Sequence, residues 1–219
     1  MTVTVLLLAL GMSNAYLLEN EHGLYLVDAG PPSAGKRIMR EIDRIGKPLR
    51  LIFITHAHFD HYGAAAAVQR VCGTPVAIHP ADASAIASGC TPLGTARGRG
   101  RLAQALQPLV SRLLPTEPVN ADLLLEDSQH LDEYGLDAVL LHTPGHTPGS
   151  SCLLVENRLS FVGDLLSSNG RPHAQELFAD DWSRLPASLA RLQNAQPEWV
   201  FTGHGRRPIS GDALREMHC

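Results

Sequence analysis

The chain has 219 residues, 44% of them hydrophobic, enough for a full buried core and incompatible with a disordered polypeptide. Eighteen basic and 22 acidic residues give a formal charge of -4, with no basic cluster dense enough to follow a phosphate backbone, so nucleic acid is not an expected partner. The four cysteines, Cys72, Cys90, Cys152 and Cys219, never approach Cys-x-x-Cys spacing, which excludes a zinc knuckle or redox pair and predicts free, mostly buried thiols in a reducing cytosol.

The opening MTVTVLLLALGMSNAYLL contains an apolar run, but no Lys or Arg precedes it and it is too short to span a membrane. It therefore reads as sheet, with strands over 3–10 and 15–18, a turn over 19–23 and a third strand over 24–27, and neither export nor a membrane partner is expected. Ser33 is the expected cap of a helix whose Ile38, Ile42 and Ile45 share a face and which stops at Gly46 and Pro48. LRLIFIT (49–55) has the continuous apolar character of a strand buried on both faces, and it leads directly into HAHFDH (56–61). GAAAAVQRVCG (63–73) reads as a small-residue helix ending at Gly73, and TPVAIH (74–79) as another strand.

From 89 to 118 the composition shifts to Gly, Pro, Thr and Arg around one amphipathic segment, 102–114, which reads as an inserted helix flanked by loops. Strands resume with LDAVLLH (136–142), SSCLLVE (150–156) and RLSFVGD (158–164), the last two joined by a hairpin turn at 156–158. A helix is predicted over 181–195 with Pro186 in its first turn, then the strand EWVFTGHG (198–205) and a short helix from Ser210. Alternation of strands and helices argues for a sheet covered by helices, in one domain spanning 1–219 with an insertion at about 89–118.

Four apolar strands end in residues that can ligate a metal: HAHFDH, then His146, Asp164 and His204. Ligands at several strand ends can converge on one edge of a rigid sheet. His56 and His58 point to the same side of a tightly turning loop, so both can reach one ion, while Asp60 and His61 lie beyond them and suit a second. Nitrogen and carboxylate donors without thiolate argue for an open catalytic site rather than a closed structural one. His22, His79, His130, His142, His173 and His218 read as surface or capping residues.

THAHFDH, HTPGHTPGS, VGD and TGHG resemble, in order and spacing, the metallo-β-lactamase fold superfamily, and SNAYLLENEHGLYLVDAG looks like its opening strands. The resemblance implies an αββα sandwich, of the α/β (α+β) class, in which two mixed sheets are covered by helices and the metals sit at one edge. It also implies that His56, His58 and His146 hold one metal, that Asp60, His61 and His204 hold the other, and that Asp164 bridges them. Asp28, in the DAG turn, matches a position that supports the ligands from behind. Two divalent ions are expected, zinc before iron or manganese.

Two ions about 3.5 to 4 Å apart can share a water whose pKa falls from 15.7 toward about 7, giving a bridging hydroxide as nucleophile. Asp60 is the expected catalytic residue, orienting that hydroxide and shuttling its proton. Tyr62, the loop 165–171, His173 and the insertion are candidates for contacting substrate, with the insertion helix as a lid. Arg97, Arg99 and Arg101 are candidates for attracting a carboxylate, although a solvated basic face suits them better.

The chain ends soon after GHG, without the helical domain of glyoxalase II-like thioesterases, and it lacks the nucleic-acid clamp of the superfamily's nucleases. The expected activity is therefore hydrolysis of a small-molecule ester, lactone or thioester by a dinuclear cytoplasmic enzyme, with homo-oligomer formation left open. Alternatives are a mononuclear iron enzyme like the persulfide dioxygenases and a β-lactamase-like amide hydrolase. A binding module without catalysis would have lost ligands, and none is missing.

Overall fold

Alternation along the strands sorts apolar residues onto two faces, and this alternation builds the layers. The computed structural model describes residues 2–91 and 93–218. In chain order it contains β1 (Thr4–Ala9), β2 (Asn14–Glu19), β3 (Leu24–Val27), α1 (Gly35–Ile45), β4 (Leu49–Phe53), α2 (Phe59–Tyr62), α3 (Ala65–Cys72), β5 (Val76–Ile78) and α4 (Pro80–Ser88). There follow β6 (Thr95–Ala96), α5 (Gly100–Leu113), β7 (Leu123–Leu124), β8 (Ala138–His142), β9 (Ser151–Val155), β10 (Leu159–Phe161) and β11 (Leu166–Ser167). The chain closes with β12 (His173–Ala174), β13 (Phe178–Ala179), α6 (Leu185–Asn194), β14 (Trp199–Phe201), β15 (Ile209–Ser210) and α7 (Gly211–Arg215).

One sheet has the order β1-β2-β3-β4-β5-β7 and the other β15-β14-β10-β9-β8, and both mix parallel with antiparallel pairs. In β4, Leu51 and Phe53 pack between the sheets with Tyr16, Leu140 and Phe161, while Ile52 and, just past the strand, Ile54 face the opposite way, toward Ile38 of α1 and Val68 of α3. A third apolar layer joins Cys152 and Val200 of the second sheet to Leu185, Leu189 and Leu192 of α6. Helices, sheet, sheet and helices thus stack as αββα, as the resemblance implied.

Three local expectations need correction. Ser33 is not a helix cap: Pro31 is extended and Pro32 opens a short 3-10 turn, so α1 starts only at Gly35, with no side-chain cap. Helix α4 falls where none was expected, and its apolar residues show no single stripe, with Ile86 its only large buried side chain among the described residues. The thiols are not mostly buried, since Cys152 is buried, Cys72 half-buried and Cys90 exposed, with Cys219 outside the described residues.

The insertion is more than a helix between loops. Its β6 pairs antiparallel with β13, Arg97 lies 4.1 Å over the Trp182 ring, and the glutamines of α5 hold neighbouring backbone, Gln104 that of Gly94 and Gln107 that of Thr91. Leu102, Leu106, Leu109 and Leu113 of α5 form an outward stripe, with Leu102 68% exposed. No helix among the described residues is long and apolar enough to cross a membrane.

Truncation of a core residue should therefore cost far more than truncation on the outer face of α5. Ile38→Ala is expected to lose about 3 kcal/mol and Leu106→Ala less than about 0.5 kcal/mol in urea denaturation. Equal losses would mean that α5 packs against something in solution.

Candidate metal centre

Four strand ends deliver the candidate ligands to one edge of the sandwich. β4 leads into His56, His58 and the one-turn helix α2 with Asp60 and His61, while β8, β10 and β14 of the other sheet lead to His146, Asp164 and His204. β8 and β10 both run antiparallel to β9, and β14 runs parallel to β10, so their ends share an edge. His58 is the extended residue before α2, and the amides of His61 and Tyr62 donate to its carbonyl, which folds the tight turn of HAHFDH.

The donors form two groups, His56, His58, His146 and Asp164 in one and Asp60, His61 and His204 in the other, each with ligand atoms within 4.8 Å of one another. In the first, His146 Nε2 lies 3.2 Å from His56 Nε2, 3.0 Å from His58 Nδ1 and 3.5 Å from Asp164 Oδ2. In the second, Asp60 Oδ2 lies 3.8 Å from His61 Nε2 and 3.6 Å from His204 Nε2. Asp164 also reaches the second group, with Oδ1 3.3 Å from His61 Nε2 and Oδ2 3.2 Å from His204 Nε2. All seven sequence-predicted ligands are thus brought together.

Hydrogen bonds on the outer side of each ring decide what points inward. Asp28 sits at φ +58, a left-handed conformation uncommon outside glycine, and turns its carboxylate back under the site. It accepts the Thr55 amide at 2.8 Å, the Thr55 hydroxyl at 2.9 to 3.0 Å and His61 Nδ1–H at 2.8 Å. With its own proton given to Asp28, Thr55 Oγ1 accepts from His56 Nδ1 at 3.0 Å, and the carbonyl of Phe178 accepts from His146 Nδ1 at 2.9 Å. His56 and His146 therefore present bare Nε2 lone pairs to the centre, and His61 turns its Nε2 toward it.

Such lone pairs 3.2 Å apart repel unless a cation lies between them. His61 Nε2 and Asp164 Oδ1 are also buried with no hydrogen-bond partner among the described residues, as donors reserved for an ion would be. The residues thus fit the metals that the fold implies. A side chain at Gly203 would also crowd the centre, since a Cβ there would come within 2.6 Å of Asp164 Oδ1.

The protein's own charges divide the two groups. Burial, reinforced by the neighbouring imidazoles, pushes His56 well below the usual histidine range, and burial with His58 beside it lowers His146 to about 3. At His61 burial also opposes the charged form, but Asp164, Asp28 and Asp60 outweigh it and raise the ring well above that range. His204 is raised to about 9, chiefly by Asp164. Neutral nitrogens thus face the first group, while neighbouring carboxylates favour the charged form of the imidazoles in the second.

Sequence reasoning missed Asp82, which is buried in the first turn of α4. Its carboxylate accepts the Ala57 amide at 2.9 Å, the Gly149 amide at 2.7 Å and the Thr147 hydroxyl at 2.6 Å, tying the HAHFDH loop to the loop of His146. Its one signal was being the sole acid of an alanine-rich segment directly after a strand. Of the other histidines, His79 accepts the Ala81 amide as a helix cap and stacks on His142 with ring centroids 3.8 Å apart.

A cavity of about 370 Å³ opens over the centre, with His58, Asp60, Asp164 and His204 at its floor. Phe59, Leu93, Val110, Leu166, Leu177 and Phe178 give it a mainly apolar wall, to which α5 contributes Ala103, Gln107 and Val110. His173 and Asn169 also line it, whereas Tyr62 is fully buried and serves packing.

The chain belongs to the metallo-β-lactamase superfamily, whose family model matches residues 8–204. The probable metallo-hydrolase YflN of Bacillus subtilis is 30% identical over 232 residues, covering 95% of this chain and 86% of that protein. The probable metallo-hydrolase YqgX of the same organism is 29% identical over 196 residues, covering 88% and 85%. Among solved structures, the B3 metallo-β-lactamase BLEG-1 superposes with a TM-score of 0.74 at 26% identity over 97% of this chain and 95% of that one. TTHA1623 in a di-iron-bound form gives 0.69 at 27% identity over 99% and 98%. The fold and the family are those of metal-dependent hydrolases.

Asp82→Ala would strand two buried amides and release both ligand loops. It is expected to cost about 3 kcal/mol of stability and to weaken metal uptake roughly 10- to 100-fold, read by thermal unfolding and by competition with a chelating dye. Full metal affinity in the variant would show that the loops hold their ligands without it.

Proposed function

We propose that this protein is a dinuclear metal-dependent hydrolase that cleaves a small ester, lactone or thioester. The observation that carries the reading is the cluster of inward-facing imidazole and carboxylate donors, four of which, His58, Asp60, Asp164 and His204, form the floor of an apolar cavity. His56, His58 and His146 would hold one ion, Asp60, His61 and His204 the other, and Asp164 both. When bound, a pair of divalent ions supplies an acidified water near neutral pH and polarises the scissile carbonyl oxygen.

The chain's own groups supply the rest. Asp60 is only partly buried and faces both the cavity and the second group, which suits it to take the proton of the attacking water and carry it to the leaving group. Apolar walls bind the organic part of the substrate and exclude water from the floor. Asp28 and Thr55 fix ring orientation from behind.

Zinc suits imidazole with carboxylate, and the di-iron form of TTHA1623 supports both a two-ion centre and iron as the rival metal. A mononuclear iron oxygenase would leave the group of Asp60, His61 and His204 without a purpose. The similarity to a B3 β-lactamase supports including β-lactams among the bonds to test. The free thiols of Cys72, Cys90 and Cys152 suit a reducing compartment such as the cytosol.

Metal analysis should find two ions per chain, and acid release should show turnover of one bond class among esters, lactones, thioesters and β-lactams. Chelation should abolish turnover and added zinc should restore it. Asp60→Asn with verified metal content should lose roughly 10²- to 10⁴-fold in kcat while KM changes little. A metal-loaded protein silent on every class, or an active Asp60→Asn variant, would overturn the reading.

A further inference from the structure

Two cavities adjoin at His204, and they differ in chemistry. Beside the apolar one lies a space of about 440 Å³ walled by residues 11–14, by 168–170 after Asp164, and by 203–207. Met12, Asn169 and His204 line both. The second space is mainly polar and no carboxylate lines it.

Most of its polar side chains are already engaged. Ser13 Oγ donates to the Asp60 carbonyl, Asn14 Nδ2 donates to the carbonyls of Thr202 and Gly205, and Ser168 Oγ meets Thr202 Oγ1 at 3.0 Å. Arg206 and Arg207 are the exception: both are exposed, and neither pairs with an acid among the described residues. The other arginine lining either cavity, Arg99, leans toward Glu176 at 3.7 Å.

The backbone that carries the two arginines is held firmly. The Gly203 amide donates to the Gly163 carbonyl at 2.8 Å, the Asn14 amide to the Gly203 carbonyl at 2.8 Å and the Ser168 amide to the His204 carbonyl at 2.9 Å. Gly205 adopts φ +98 and packs so closely on Ser168 and Asn169 that no side chain fits, so the turn that directs 206 and 207 to the rim of this cavity is fixed. Two guanidinium groups without a counter-charge beside a reactive centre form a ready anchor for planar or tetrahedral oxyanions.

We infer that the substrate has two unlike limbs: an apolar one in the 370 Å³ cavity and an oxyanionic one, carboxylate or phosphate, held by Arg206 and Arg207 in the cavity that adjoins it at His204. The inference rests on the hydrolytic reading above and narrows it to anionic acyl compounds. It makes Arg206 and Arg207 specificity determinants that act on binding and leave the chemical step to the floor of the site.

The test is calorimetric binding of ligands that cannot be hydrolysed, para-hexyloxybenzoate and para-hexyloxyphenylphosphonate, against neutral para-hexyloxybenzyl alcohol, using metal-loaded protein. The anions should bind about tenfold more tightly than the alcohol, the better of them identifying the oxyanion, and added salt should reduce the gap. In R206A/R207A the anion-over-alcohol preference should fall about tenfold, and R206K/R207K should restore part of it. Equal binding of anion and alcohol would overturn the inference. So would an anion preference unchanged in R206A/R207A, because the metals would then be holding the anion.

Hydrolysis of para-hexanoyloxybenzoate and of its methyl ester separates the two readings. Turnover of both with the same KM and kcat would keep the hydrolase and remove the arginine anchor. An arginine-dependent binding preference without turnover of either ester would keep the anchor, and silence on lactones, thioesters and β-lactams as well would remove the hydrolase.

Discussion

Everything at this edge of the sandwich depends on lone pairs being made to face one another. Tying the outer N–H of His56 to Thr55, of His146 to the Phe178 carbonyl and of His61 to Asp28 fixes three ring orientations, turns all three Nε2 atoms inward and leaves those of His56 and His146 bare. Bare nitrogens near 3 Å repel, and so do bare nitrogens and carboxylate oxygens. The fold must hold them against that repulsion until a cation converts it into attraction, which couples metal affinity to the stability of the surrounding loops.

The coupling explains why bracing residues surround the ligands. Asp28 reaches Thr55 and His61 together, so one carboxylate sets the orientation of rings in both groups, directly for His61 and through the Thr55 hydroxyl for His56. Asp82 performs the equivalent task between loops, because Ala57 belongs to the first sheet's contribution and Thr147 with Gly149 to the second's. Neither sheet alone carries a complete ligand set, so the apolar layer of Tyr16, Phe53, Leu140 and Phe161 between the sheets is also what registers the two halves of the site.

Legibility in the sequence followed the range of the interactions. LRLIFIT running into HAHFDH could be read because both signals are local, an unbroken apolar strand and donors within six positions. His146, Asp164 and His204 were legible for the same reason, each lying just past an apolar run. Asp82 was not, since its partners at 57, 147 and 149 meet only after folding, and the alanine-rich α4 lacks an apolar stripe to announce it. Ser33 misled because a local cap preference lost to two prolines that fix the chain before it can enter the helix. The amphipathic reading of 102–114 found the helix but not its orientation: Gln104 and Gln107 turn inward to bond loop backbone, leaving the leucines outside.

The same distinction separates the chemistry from its selectivity. The ligand residues are buried or half-buried and drawn from strand ends, so their positions follow from the core, and a change in any of them propagates into metal affinity. Much of the wall comes from α5, from residues 167–170 and from residues 205–207, which are only partly buried and contribute little to the core. A side chain there can change without disturbing the lone-pair geometry. Arg99 and the pair Arg206 and Arg207 show the consequence, since all three are exposed at the rim, yet only Arg99 has an acid to lean on. Charge selectivity around a fixed metal floor is thus set by which rim cations the protein leaves without a partner.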